Sequence, residues 1–80
     1  MPVVFRWKNC KFFFFSNEGD PREPVHIHVL CHGARAKFWL NPVATAENIG
    51  FAAYELSDLT RVIRDNQYQI ERAWHEHFGD

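Results

Sequence analysis

Pro24-Val25-His26-Ile27-His28-Val29 alternates apolar and polar side chains. Past Leu30 to Arg35 the alternation returns in Ala36-Lys37-Phe38-Trp39-Leu40. A period of two marks a half-buried strand, because successive side chains point to opposite faces of a sheet. Val25, Ile27 and Val29 then face a core, and His26 and His28 stand together on the other side. His32-Gly33 reads as a two-residue hairpin loop, since Gly supplies the positive φ that such tight turns need. That loop sets a register with His28 opposite Lys37, His26 opposite Trp39 and Leu30 opposite Arg35. On the reverse face Ile27 meets Phe38 and Val29 meets Ala36. One face is dry. The other carries two imidazoles, two cations and an indole, and that asymmetry is where function is expected.

Working outward, Val3 to Trp7 reads as a first strand and the Phe-rich run Cys10 to Ser16 as a second, joined by a weak turn at Lys8-Asn9. Asn17 to Pro24 has loop chemistry throughout. Asn41-Pro42 ends the fourth strand, because Pro cannot continue a ladder and restricts its predecessor. Val43 to Gly50 reads as a connector with a short helical turn. From Ala52 the period becomes 3.6, with Leu56, Leu59 and Ile63 and then Ile70, Trp74 and Phe78 in an apolar stripe. Asn66 and Gln69 fit a capping box, which divides this region into helices over about 53–65 and 67–78; one long bent helix is the alternative. The expected architecture is α+β, a four-stranded antiparallel sheet of two hairpins with two C-terminal helices packed on its Ile27/Phe38 face.

The chain has 80 residues, enough for a single domain, 1–80. So small a domain buries only about 60–65% of its unfolded surface. Eight Phe, three Trp and two Tyr supply the bulk that such a core needs. The net charge of −1 argues against an unspecific nucleic-acid binder, which would be basic. It is unevenly spread. Arg6, Lys8, Lys11, Arg22, Arg35 and Lys37 against Glu18, Asp20 and Glu23 leave +3 on residues 1–40, and residues 41–80 carry −4. Cys10 and Cys31 match no metal-binding or C-x-x-C spacing, and without an export signal they are expected as buried, reduced thiols. Phe12–Phe15 is too short for a signal segment, and nothing approaches a membrane span. A cytoplasmic protein is expected.

Phe12-Phe13-Phe14-Phe15-Ser16-Asn17-Glu18, Glu23-Pro24-Val25-His26-Ile27-His28-Val29, Ala36-Lys37-Phe38-Trp39-Leu40-Asn41-Pro42-Val43, Asn48-Ile49-Gly50-Phe51 and Ala73-Trp74-His75-Glu76-His77-Phe78 occur in that order. Together they resemble the small bacterial family called domain of unknown function 4160, over nearly the whole chain. The resemblance implies a genomic neighbour, a second small protein, and with it one half of a toxin–antitoxin-like pair. Two positions depart from the family pattern. Lys8-Asn9 stands where Gly is usual, and Ala52 replaces a Ser helix cap, a loss of about 1 kcal/mol.

Three chemistries suit the polar face. The first is binding: Arg6, Lys11, Arg35, Lys37 and Trp39, beside Phe13 and Phe15, form a basic and aromatic surface that fits a protein partner or single-stranded RNA. The net charge favours protein. The second is RNA cleavage, with His26 and His28 as base and acid and Lys37 steadying the phosphorane. The third is a metal site, His26 and His28 completed by Glu23, for which Zn²⁺ is the natural ion. The plain alternative is that both histidines brace the Asp20–Pro24 loop against the sheet. No resident cofactor is expected. His75 and His77, two apart on a helix, are expected in solvent.

Overall fold

The computed structural model describes residues 3–16 and 23–79. Five strands, β1 (Val3–Trp7), β2 (Cys10–Phe13), β3 (His26–Cys31), β4 (Ala34–Leu40) and β5 (Val43–Ile49), precede helices α1 (Ala53–Asp65) and α2 (Gln67–Phe78). The strands form one antiparallel sheet in the order β1-β2-β3-β4-β5. The α+β architecture is as expected, with five strands in place of four.

The β3–β4 hairpin carries the expected register at every pair, from His26 opposite Trp39 to Leu30 opposite Arg35. His32 and Gly33 both have positive φ, 49° and 85°, as a two-residue turn matched to strand twist requires. The fifth strand is the segment Val43–Ile49, expected as a connector. Pro42 does end β4, but Asn41-Pro42 is itself the turn of a second tight hairpin, with Leu40 opposite Val43. A proline in the turn stops one ladder without preventing the next. The expected Cys10–Ser16 strand ends at Phe13, although alternation continues beyond it: Phe14 is buried and Phe15 exposed. Most of the expected Asn17–Pro24 loop lies outside the described residues.

The core lies on one face. Phe12, Ile27, Val29, Phe38 and Leu40 cluster there with Leu59, Val62, Ile63, Ile70 and Trp74 of the helices. Phe5 stacks on Phe12 with ring centroids 4.4 Å apart. Both helices therefore pack on the Ile27/Phe38 side. Gly50 links β5 to α1 at φ 98°, and a Cβ there would stand 3.1 Å from that of Ala34, so only Gly suits the corner.

Two local expectations are corrected. Asn66 does not cap α2 with its side chain; its Nδ2 donates 2.8 Å to the Val62 carbonyl and closes α1 instead. Its backbone, at φ −117° and ψ 16°, lacks the extended form of an N-cap. The cysteines are not free thiols. Cys10 faces Cys31 across β2 and β3, Cα–Cα 4.4 Å, and the two form a disulfide. Directly opposite residues of a non-hydrogen-bonded antiparallel pair stand that close, within bonding reach of two thiols. The 21-residue separation carried no such signal, because a long connection leaves register open.

Candidate functional site

The face away from the helices is organised in rows that run across the strands. Register places Arg6 opposite Lys11, Lys11 opposite Leu30, Leu30 opposite Arg35, and Arg35 opposite Ile49. The next row is Phe13, His28, Lys37 and Glu47, and the third pairs His26 with Trp39 and Ala44. Arg6 and Arg35 are exposed; Lys11, His28, Leu30, Lys37 and Trp39 are half-buried.

His26 departs from the open placement expected of it. It is 0% exposed, because it begins β3 at the end of the sheet where α2 reaches over, with the Trp74 ring 4.9 Å away. Its Nδ1 lies 2.9 Å from the Pro24 carbonyl. A carbonyl only accepts, so Nδ1 carries the hydrogen and the ring braces the chain entering β3. His28 lies 5.2 Å from His26, ring to ring, stacked on Phe13 at 5.6 Å with Phe15 edge-on at 4.6 Å. Phe13 itself is only 6% exposed.

Lys37 connects these groups. Its Nζ is 3.4 Å from Glu23 Oε1 and 4.6 Å from the centre of the Trp39 ring. Glu23 in turn stands 4.0 Å from His26 Nδ1. His26, His28, Glu23, Lys37 and Trp39 thus converge at one end of the sheet, whereas Arg6, Lys11 and Arg35 belong to a separate row. For a metal, the Pro24 contact takes Nδ1 of His26 out of play. Among the described residues no three His, Cys, Asp or Glu side chains form a group that could hold one. Glu18 and Asp20 lie outside the described residues. His75 and His77 are both exposed, the latter beside Phe14 and Phe78.

Two features of this face escaped sequence reasoning. Glu47 sets a carboxylate opposite Lys37, and Ile49, 52% exposed, extends the cation row with an apolar end. Both sit on β5. The run Val43-Ala44-Thr45-Ala46 shows no clean apolar–polar alternation, and the β4–β5 pairing slips by one residue at Ala46. A second slip lies between Val3 and Phe5 on β1, so both edge strands are bulged. A bulge twists an edge away from new strands.

No helix among the described residues is long and apolar enough to cross a membrane. A family model described as domain of unknown function (DUF4160) matches residues 9–75, most of the chain. No curated protein and no solved structure gives a match. The chain belongs to the DUF4160 family.

Proposed function

We propose that this member of the DUF4160 family is a binding module, one partner of a toxin–antitoxin-like pair, and that it docks a protein on the open face of its sheet. The observation that carries the reading is the bare face itself. Both helices pack on the other side, leaving Arg6, Leu30, Arg35, Lys37, Trp39 and Ile49 at least partly accessible. Apolar and aromatic side chains set among arginines are the composition of interface hot spots. The bulged edges favour face docking over strand addition.

Binding is preferred to RNA cleavage on one ground. A general base must come within about 3 Å of the hydroxyl it deprotonates, and the His26 ring has no accessible surface from which to do so. The disulfide also changes the setting. Disulfides are rare in cytosolic proteins, so the Cys10–Cys31 bond counts against the cytoplasmic location expected from the sequence.

Co-expression with the protein encoded beside it, followed by size-exclusion chromatography, tests the proposal. A co-eluting complex, together with relief by one protein of growth inhibition caused by the other, is the expected result. Separate elution with no growth effect overturns it. Growth inhibition by this chain alone that disappears in a folded His28→Ala variant would return the catalytic reading to first place.

A further inference from the structure

Of the rows on the open face, the first is electrostatically odd. Arg6 and Lys11 stand directly opposite each other on β1 and β2, and Arg35 follows two strands on, with only Leu30 between. Like charges directly opposed across strands destabilise a sheet. Elsewhere on this face the charge is compensated: Lys37 has Glu23 at 3.4 Å and Glu47 opposite it. The first row contains no acid, and none of its three cations enters an ion pair among the described residues. A chain of net charge −1 has carboxylates in plenty. Here it sets three cations in line, and the carboxylate nearest the row by register, Glu47, stands one row away opposite Lys37 and borders Arg35 alone of the three.

Resting on the binding-module reading, we infer that this row receives an extended, acidic segment of the partner protein, with carboxylates on alternate residues. Neighbouring strands are about 4.8 Å apart, so the row from Arg6 to Arg35 spans about 14 Å. An extended chain puts side chains i and i+4 at nearly that separation, with i+2 between them on the same face. Carboxylates at those positions meet Arg6, Lys11 and Arg35, the arginines offering bidentate geometry. Leu30 within the row and Ile49 at its end supply apolar contact for the segment's flanks.

Single-stranded RNA is the competing polyanion, and the aromatic side chains decide against it. Base stacking needs free ring faces. Phe13 is 6% exposed and already stacked on His28, and Lys37 Nζ caps a face of Trp39. Phe15, 42% exposed, is itself engaged edge-on with Phe13 and His28.

The test uses a short fluorescent peptide in which glutamate alternates with threonine, a lysine–threonine counterpart, and a uridine oligonucleotide of equal length. Fluorescence anisotropy is followed at low and high salt. The acidic peptide should bind, release with rising salt, and bind about tenfold or more weakly to the Arg6→Ala/Lys11→Ala/Arg35→Ala variant. Lys8→Ala removes a cation from the neighbouring turn and should leave affinity unchanged. Lys11→Glu gives the decisive contrast. It replaces repulsion across β1 and β2 with attraction, so Tm should rise by about 2–5 °C while peptide binding is lost.

The inference is overturned if the wild type ignores the acidic peptide, if the triple variant binds it as well, if Lys8→Ala weakens binding as much, or if the uridine oligonucleotide binds more tightly. A partner complex that forms equally well with the triple variant removes the row while leaving the binding module standing. Peptide binding of the expected pattern without a partner complex supports the row and removes the pairing.

Discussion

The two faces of the sheet are written by the same strands in alternate residues, yet they obey different rules. On the helix-covered face Phe12, Ile27, Val29 and Phe38 are 0% exposed and bounded by helical side chains, so each position is fixed by volume. On the open face neighbouring positions range from the wholly buried His26 to the exposed Arg6 and Arg35, and charge is paired at Lys37 but not along the Arg6–Lys11–Arg35 row. The lesson is that burial is dictated by place along the sheet as well as by face. His26 and His28 alternate identically in sequence, but only His26 lies where α2 closes over the end.

The sharpest contrast is between Phe38→Ala and Lys37→Ala, neighbours on opposite faces. The first should cost about 3–5 kcal/mol and threatens folding, since domains of this size hold little in reserve. The second, which breaks a partly exposed ion pair and a cation–π contact, should cost no more than about 1 kcal/mol. Urea denaturation of both measures the gap, and similar losses would mean that the open face is packed like the core.

Next in size is the staple on the dry face. Reduction of Cys10–Cys31 reopens a loop spanning 21 residues, and the chain-entropy relation puts the loss at about 3 kcal/mol. Denaturation with and without a reductant reads it directly. An unchanged midpoint would show that the strand ladder alone holds β2 to β3.

The two histidines come third. His26→Ala gives up a buried ring and its bond to Pro24, about 2–3 kcal/mol, against about 1 kcal/mol for His28→Ala. Thermal melts of the pair check this, and equal shifts would contradict the difference in burial. The smallest effect is a gain. Lys8 holds φ 54° at the turn from β1 to β2, and Lys8→Gly relieves that left-handed strain by about 1 kcal/mol. A lower Tm in that variant would show that the contact of Lys8 Nζ with Trp7, at 4.7 Å, outweighs the strain.

What the amino-acid sequence determined alone is set by neighbours a few residues apart. The β3–β4 register follows from alternation plus the two-residue turn at His32-Gly33. The helices follow from a 3.6 period broken at Asn66, even though Asn66 serves the end of α1 and not the start of α2. The fifth strand is not legible locally, because Pro42 can end a strand as well as turn one and the slip at Ala46 interrupts the pairing of β5. Tertiary structure alone decided three things: that Cys10 meets Cys31, that Arg6, Lys11 and Arg35 fall into one row, and that Trp74 covers His26. Each depends on the pairing of β2 with β3 or the docking of α2, contacts between segments far apart in the chain. A long connection costs nearly the same entropy in any register. Only the simultaneous packing of Phe12 against Val29, and of both against the helices, selects one.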